Sequence, residues 1–181
     1  MTAKIHDTAR IYEGRVITVT KEMVTLENGV STDLDIIRHP GATAIIPFVR
    51  ENTLLLLRQY RHAVRDHIWE IPAGTLDPEE SPINCAKREL VEETGYSGSN
   101  WQSLGQIIPV PGYSDELIHV YLATDLAAAQ QDLDSDEIID VHEVKFDAAI
   151  EMIKSGEIRD SKTISGLFMA RLRLENGELH A

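Results

Sequence analysis

The first forty residues contain short runs in which β-branched and polar side chains alternate, a period of two that favours strands. The alternation is clearest from Val16 to Thr20, and a second run, Val24–Leu26, leads into Asn28-Gly29. Asn-Gly between two such runs is the strongest short-range signal of a β-hairpin. We therefore predict a small β unit over residues 10–39, closed by the breaker His39-Pro40-Gly41. Because three short strands are marginally stable alone in water, this unit should pack on the main domain, on a second subunit, or on both.

After this unit the pattern changes to continuous apolar runs. Thr43–Val49 and Thr53–Gln59 are predicted to pair, and Leu54-Leu55-Leu56-Leu57 is dense enough to be buried on both faces of a sheet. Further strands are predicted at Trp69–Ile71, Leu104–Val110, Leu117–Ala123 and Val141–Phe146, and helices at 82–94, Asp147–Lys154 and Ser161–Leu174. The acidic, Ala/Gln-rich segment Leu126–Asp136 is predicted to be a mobile loop.

Composition narrows the class of protein. A hydrophobic fraction of 43% supports a sizeable core, and no apolar run approaches the ~20 residues that span a bilayer. The net charge of −13 argues against partners such as nucleic acid or an anionic membrane. The N-terminus has no apolar signal region and Cys85 is the one cysteine, so we expect a cytoplasmic protein without an internal disulfide. Cys85 is interpreted as a small core residue.

The candidate chemistry lies in a helix predicted to begin at Ser81-Pro82 and to end at Gly95. Glu92 and Glu93 follow Glu89 by three and four residues, so the three carboxylates converge on one face. Anions near the C-terminal end of a helix oppose its dipole, and divalent cations with oxygen ligands would compensate them. A solvent-exposed acidic helix end is the alternative that this cluster alone leaves open.

The full spacing favours the metal site. The pattern Gly74-x5-Glu80-x7-Arg88-Glu89-Leu90-x-Glu92-Glu93-x-Gly95 is similar to the signature of the Nudix hydrolases, with Tyr96 at a final position that is usually aliphatic. The resemblance implies an α/β fold, namely a Nudix-type α/β/α sandwich with a mixed sheet over residues 41–181. The small β unit at residues 1–40 precedes it and is expected to serve dimerisation. The implied reaction is hydrolysis of a nucleoside diphosphate linked to another group.

The same resemblance gives roles to the residues of the motif. It implies that Glu89 and Glu93 are the main metal ligands and that the backbone carbonyl of Ala73 is one more. Glu92 would be a further ligand or a catalytic positioning group. The implied cofactor is Mg²⁺, with Mn²⁺ as the other candidate. The structural positions of the motif are Gly74, Glu80, Arg88 and Gly95, and Arg88 is interpreted as a clamp on the acidic loop.

Features outside the motif resemble the ADP-ribose pyrophosphatase subfamily. The segment Glu70-Ile71-Pro72-Ala73-Gly74 is similar to the one that leads into the motif in those enzymes, and Pro111 lies near their marker proline. Residues 111–116 also resemble them, as does the N-terminal β unit, which those enzymes exchange between subunits. The implied activity is metal-dependent hydrolysis of the diphosphate bond of ADP-ribose to AMP and ribose 5-phosphate by a homodimer.

The subfamily resemblance also implies contacts with the substrate. Arg61 would bind the diphosphate, since a guanidinium suits phosphate oxygens, and Tyr12 would stack on the base. Glu70 and Glu116 would contact the substrate as well, Glu116 at the terminal ribose or at the metal-bound water. The corresponding structural alternatives are a surface arginine, a packing aromatic and a loop acid.

The general base implied by the resemblance lies on a mobile loop after the motif, where closure would bring it to the substrate. Glu137 matches that place best. Its neighbour Asp136 is an alternative because the register of the loop is soft, and Glu92 is the alternative within the motif. A solvated acidic loop is the structural alternative.

Three other functions are weighed against this one. A hydrolase of another nucleoside diphosphate sugar, such as GDP-mannose, would carry the same motif and differ in a few loop contacts. A non-catalytic nucleotide sensor is expected to have lost motif carboxylates that this chain keeps. RNA decapping is disfavoured by 17 basic residues against 30 acidic ones.

Overall fold

The computed structural model describes residues 3–177, which fall into two compact units. One unit consists of Met1–Gly41 and Ile108–Leu117, and the main unit consists of Ala42–Ile107 and Ile118–Ala181. The N-terminal unit therefore contains one segment that lies far away in the sequence. The dimerisation role of this unit stays a prediction.

The N-terminal unit is a three-stranded antiparallel sheet in the order β1-β2-β3. Its strands are β1 (Lys4–Glu13), β2 (Thr18–Thr25) and β3 (Ser31–Arg38). The predicted hairpin is present, with Gly29 at a φ of +82°, a left-handed conformation that glycine adopts without strain. Strand β1 begins well before the predicted start at residue 10. The prediction missed these residues because all ten residues of the strand are exposed, so no buried face imposes a periodic pattern on its sequence.

The distant segment of this unit, Ile108–Leu117, runs beside β3. The Ile37 N–H donates to the Tyr113 carbonyl at 2.7 Å, and the Asp115 N–H donates to the Ile37 carbonyl at 3.2 Å. The Arg38 guanidinium donates to Asp115 at 2.9 Å and also to the buried Glu22 on β2. These contacts connect the segment to two strands of the small sheet.

The main unit is built on a seven-stranded mixed sheet in the order β10-β5-β4-β9-β8, with β6 paired to β5 and β7 to β4. Its strands are β4 (Ala42–Arg50), β5 (Thr53–Arg61), β6 (Asp66–Glu70), β7 (Ala73–Thr75), β8 (Tyr96–Ile107), β9 (Ile118–Ala128) and β10 (Ile139–Lys145). Strands β4 and β9 are parallel, and the other pairs are antiparallel. The helices are α1 (Pro82–Thr94), α2 (Phe146–Lys154) and α3 (Ser161–Glu175).

The helices cover both faces of this sheet. Ile45 packs in one apolar cluster with Ala86 and Leu90 of α1. Its neighbour Ile46 packs in a second cluster that includes Phe146 and Leu167 from the segments of α2 and α3. Because successive side chains of a strand point to opposite faces, α1 lies on one side and α2 with α3 on the other. This is the predicted α/β/α sandwich, and residues 54–57 are at most 1% exposed, as their continuous apolar run predicted.

The hairpin of β8 and β9 is longer than predicted. Strand β8 begins at Tyr96, and β9 runs to Ala128, into the segment predicted as a loop. The extra residues pair with each other, as in Tyr96↔Ala128 and Gly98↔Leu126, although many of their side chains are small or polar. These residues form strands because each pairs with the other strand, and the intrinsic strand propensity of a sequence does not show such pairing. No helix within residues 3–177 is long and apolar enough to span a bilayer.

Candidate active site

Helix α1 carries acidic and apolar residues on the same buried stripe. It begins with Pro82 after Ser81 and ends at Gly95, whose φ is +71° and whose N–H donates to the Val91 carbonyl. The buried positions are Cys85, Ala86, Glu89, Leu90, Glu93 and Thr94. Cys85 is 0% exposed, which confirms its interpretation as a core residue, and burial raises the pKa of its thiol to about 12. The stripe that attaches the helix to the sheet thus also carries two carboxylates into the interior.

Glu93 is the more deeply buried of these two acids, with 2% of its surface exposed. Its Oε2 accepts a hydrogen bond of 2.8 Å from the Ala73 N–H at the start of β7. Burial raises the pKa of the Glu93 carboxyl well above its ordinary value, and the nearby charges of Glu89 and Glu137 raise it further. The Ala73 N–H and the Arg61 charge oppose this rise.

Glu89 lies one turn earlier and fits against the backbone of β7. A Cβ added to Gly74 would lie 1.8 Å from the Glu89 Oε1, so only glycine leaves room for this carboxylate. Burial raises the pKa of the Glu89 carboxyl in spite of the lowering effect of Arg88. The motif therefore requires glycine at position 74 for a steric reason, because the Glu89 carboxylate approaches the strand closely there.

Arg88 joins the acidic loop to the helix. Its Nε and Nη2 donate to the two Glu80 oxygens at 3.1 and 2.9 Å, and its Nη1 donates to Glu89 at 2.7 Å and to Glu92 at 2.9 Å. The Arg88 contact is the main cause that lowers the pKa of the Glu80 carboxyl. These contacts fit the predicted clamp. A cavity of about 400 Å³ lies beside them, lined by Arg88, Val91, Glu92, Gln130 and Asp132.

Arg61 and Glu70 form a bidentate pair on neighbouring strands. The Arg61 Nε donates to Glu70 Oε2 at 2.7 Å and its Nη2 donates to Oε1 at 3.3 Å. The Arg61 side chain is 42% exposed, whereas that of Glu70 is 3% exposed and also binds Lys162. Two cations bind the Glu70 carboxylate and the carboxylate orients Arg61 in turn, while the contact of Glu70 with a substrate stays a prediction.

Three residues at the start of α3 complete this network, and none of them was predicted from the sequence. Lys162, which binds Glu70, lies 3.1 Å from Asp160. Asp160 caps the helix by accepting from the Thr163 N–H and hydroxyl at 2.9 and 2.6 Å. The Thr163 hydroxyl accepts in turn from the Ile71 N–H at 2.9 Å. The capping residue Asp160 is a recognisable sequence signal, but its link to the site depends on tertiary structure.

Glu137 lies in the loop between β9 and β10 and is half-buried. Burial raises the pKa of the Glu137 carboxyl, and the Arg61 charge opposes that rise. Because Glu137 also raises the pKa of Glu89 and of Glu93, its carboxylate is within electrostatic range of both. Asp136 is exposed. The assignment of the general base to Glu137 stays a prediction, with Asp136 and Glu92 as the alternatives.

The donor set fits a hard divalent cation. Buried carboxylates with raised pKa values repel one another when ionised, and a cation with oxygen ligands relieves both burial and repulsion. Among residues 3–177, no group of three or more His, Cys, Asp or Glu side chains stands arranged as a complete metal site. Glu89 and Glu93 are the pair that could contribute to one.

Two predicted site residues lie in the N-terminal unit. Tyr12 on β1 is 57% exposed, and a Cβ on Gly14 would lie 2.8 Å from its ring. Glu116 is half-buried, and its N–H donates to the Ser114 hydroxyl at 3.2 Å. Their roles toward a substrate stay predictions.

The fold and these carboxylates define a hydrolase class that comparison with known proteins identifies. The chain belongs to the NUDIX domain family, which residues 38–167 match. This confirms the family that the motif indicated.

Individual relatives cover almost the whole chain. An ADP-ribose pyrophosphatase of Bacillus subtilis (strain 168) is 36% identical over 91% of this chain and 90% of its own length. A methanol dehydrogenase activator of Bacillus methanolicus is 41% identical, over 87% and 86%. A GDP-mannose pyrophosphatase of Escherichia coli O1:K1 / APEC is 33% identical, over 82% and 91%. The solved structure of an ADP compounds hydrolase, 21% identical, has the same fold, with a TM-score of 0.86 over 98% of this chain and 96% of that one.

Replacing Gly74 with alanine should displace the Glu89 carboxylate, because the new Cβ would lie 1.8 Å from it. The carboxylate ends a flexible side chain, so we expect it to rotate away and the Tm to change by less than about 3 °C. Mn²⁺ affinity, measured by the electron paramagnetic resonance signal of the free ion, should fall at least about tenfold. Gly112→Ala is the control, since no atom lies within 4 Å of its Cβ. Unchanged Mn²⁺ affinity in the Gly74 variant would remove Glu89 from the cation site.

Glu93→Gln should stabilise the metal-free protein. Because folding raises the pKa of Glu93, its protonated carboxyl contributes fully to stability below the unfolded pKa of 4.5. This contribution is lost as pH rises through the folded pKa, where the buried carboxyl ionises. The Tm difference between variant and wild type in EDTA should therefore grow with rising pH above about 4.5 and reach about 3 °C or more near neutrality.

Mg²⁺ gives a second measurement on the same variant. It should raise the Tm of the wild type at neutral pH and leave that of Glu93→Gln almost unchanged. Glu51→Gln, at an exposed turn, serves as the matched control and should behave like the wild type. A Glu93 variant that loses stability at every pH would contradict the inferred cost of its buried charge.

Proposed function

We propose that this protein hydrolyses the diphosphate bond of ADP-ribose to AMP and ribose 5-phosphate, with Mg²⁺ as the preferred cofactor and Mn²⁺ as the alternative. The observation that carries the proposal is the pair of buried acids, Glu89 and Glu93, that the motif helix holds against the backbone of β7. Two buried carboxylates suit a divalent cation, and the half-exposed Arg61 guanidinium, held by Glu70, suits the phosphates of a diphosphate. The similarity to an ADP-ribose pyrophosphatase over most of both chains supports this substrate.

Arg61 is proposed to bind one phosphate of the substrate. Its pair with Glu70 uses Nε and Nη2, so Nη1 lies outside that pair on a side chain that is 42% exposed. A guanidinium fixed on one edge and open on the other can donate to phosphate oxygens without losing its orientation. Lys162 and Glu70 are then supports that keep this charge in place.

The residues proposed to hold the metal are Glu89 and Glu93, with Glu92 and the Ala73 carbonyl as further ligands. A bound divalent cation would neutralise charge on the diphosphate and lower the pKa of water. Arg88 already binds Glu89 and Glu92, so it limits the rotamers of these acids. This restriction favours a site whose geometry is set before substrate arrives.

Glu137 is proposed as the general base, with Asp136 and Glu92 as the alternatives. It would take a proton from the attacking water while a phosphorus–oxygen bond of the diphosphate breaks. Burial raises its pKa toward the range in which a carboxylate accepts a proton efficiently near neutral pH. Its carboxylate accepts from the Asp134 N–H at 3.1 Å, so a local turn holds it.

Selection of the nucleotide is proposed to involve the N-terminal unit. Tyr12 would stack on the base and Glu116 would contact the terminal ribose. A GDP-mannose pyrophosphatase activity is the second candidate, since a relative of that name matches 82% of this chain. The name of the methanol dehydrogenase activator states an effect on another enzyme and does not specify a bond to be cleaved. A non-catalytic sensor is disfavoured because every carboxylate of the motif is present.

A substrate panel tests this function. ADP-ribose, GDP-mannose, UDP-glucose and a capped RNA should be assayed with Mg²⁺, and we expect the highest kcat/KM for ADP-ribose with AMP as a product. Glu93→Gln should lower kcat at least about a hundredfold, because a metal ligand and its charge are lost. A higher kcat/KM for GDP-mannose would overturn the substrate assignment, and an active Glu93→Gln would overturn the role of the motif.

We also propose a homodimer, in the cytoplasm, formed through the N-terminal sheet. Strand β1 is exposed along its whole length and carries Ile5 and Ile11 at 56% and 60% exposure. Strand β1 lies at the edge of its sheet, where exposed strands are prone to pairing, and association with a second copy would cover Ile5 and Ile11.

Sedimentation equilibrium tests the dimer. The wild type should have twice the chain mass of 20.2 kDa, and the double variant Ile5→Glu/Ile11→Glu should have the single mass. Val64→Glu, at a position 59% exposed in the main unit, is the matched control. A monomeric wild type at micromolar concentration would refute the proposal.

A further inference from the structure

The segment that follows β9 supplies hydrogen-bond donors to the C-terminal end of α1. The Ala129 N–H donates to the Gly95 carbonyl at 2.7 Å, and the Asp132 N–H donates to the Glu92 carbonyl at 3.1 Å. Between them, the Gln131 Nε2 donates to the Glu93 carbonyl at 2.6 Å. The last carbonyls of a helix have no partner within the helix, so these contacts cap α1 with donors from a distant part of the chain.

Gln131 makes the one side-chain contact of these three. The Glu93 carbonyl can only accept, so the amide must present its nitrogen to it. The two segments are in close contact, because a Cβ added to Gly95 would lie 3.4 Å from the Gln131 N and Cβ. The residue whose carbonyl is bound, Glu93, is only 2% exposed, as is Glu70, and these two are the most buried acids of the site.

The same segment leads directly to the proposed base. Glu137 follows Gln131 by six residues, and its N–H closes a turn on the Asp134 carbonyl at 3.0 Å. Beyond it, the Tyr60 N–H donates to the Ile138 carbonyl at 3.1 Å, where β10 begins beside β5. The loop that carries the proposed base is thus attached to α1 at one end and to the central sheet at the other.

We propose that Gln131 is a positioning residue that sets the distance between the general base and the metal ligands. By donating to the Glu93 carbonyl, Gln131 attaches the start of the loop to the residue whose carboxylate is proposed to bind the metal. Loss of this one contact would leave both attachments of the loop through backbone groups intact but let the intervening turn shift. The inference rests on the proposed function of Glu93 and Glu137.

Gln131→Met tests the inference, because methionine keeps the length of the side chain and removes the donor. We expect kcat for ADP-ribose to fall about tenfold, the loss that one hydrogen bond of positioning energy predicts, while KM changes less than about threefold. The Tm should change by less than about 3 °C. Gln106→Met, on an exposed glutamine of β8 whose side chain contacts His119, is the matched control and should keep the wild-type kcat.

Two further variants separate positioning from bulk structure. Gln131→Lys should retain kcat within about twofold, because an ammonium also donates to the carbonyl and is favoured at a helix C-terminus. Gln131→Glu should be at least as impaired as Gln131→Met, since a carboxylate cannot donate and is repelled there. An equal kcat in all of these proteins, or a loss of kcat that the lysine variant does not recover, would overturn the assignment.

The test is independent of the identity of the substrate. If the wild type hydrolyses another member of the panel and not ADP-ribose, the substrate assignment fails, and the same comparison of kcat values on the hydrolysed compound still decides the role of Gln131. If no compound is hydrolysed, the proposed function fails and the positioning role fails with it.

Discussion

The main unit depends on burying two carboxylates on the same stripe of α1 that attaches the helix to the sheet. Leu90 and Ala86 supply the apolar contact, while Glu89 and Glu93 enter the interior beside them. Burial of an anion is costly without partners, and the partners are a strand N–H, an arginine and, in the proposed enzyme, a cation. The three-residue strand β7 supplies the backbone that meets both acids, through the Ala73 N–H and the open side of Gly74.

Supporting charges keep the site in order from three separate parts of the chain. Arg88 holds the acidic loop against the helix, and Glu70 holds Arg61 with the help of Lys162. Arg88 is bound by acids on both sides, whereas the pair with Glu70 leaves the Nη1 of Arg61 outside it. In the proposed function, this open edge of Arg61 would meet the diphosphate.

The parts of the site that lie within one local segment could be predicted from the sequence, and the parts assembled by tertiary contacts could not. Helical spacing predicted that Glu89 and Glu93 converge, and the resemblance of the whole motif to a known signature gave these acids and Arg88 their roles. Lys162 and Gln131 lie on elements that reach the site only after the sheet has formed. No periodic pattern marks either of them.

The fold shows the same division. The apolar runs that became β4 and β5 were recognisable because they are buried on both faces. Strand β1 and the first half of β8 were missed because their side chains are exposed or polar, so their pairing depends on a neighbouring strand. Most of the loop before Glu137 was predicted, although its first residues up to Ala128 belong to β9, and its attachment to α1 was not foreseen.

Because the segment Ile108–Leu117 belongs to the N-terminal unit, no single cut in the sequence separates the two units. The chain leaves the small sheet at Gly41, builds most of the large one, and returns to lie beside Ile37 before completing it. A shortened protein that began at Ala42 would keep this segment but lose the strand to which it is hydrogen-bonded. Removing the N-terminal strands alone would therefore leave part of their unit behind, and a chimera between relatives would have to transfer both pieces of sequence together.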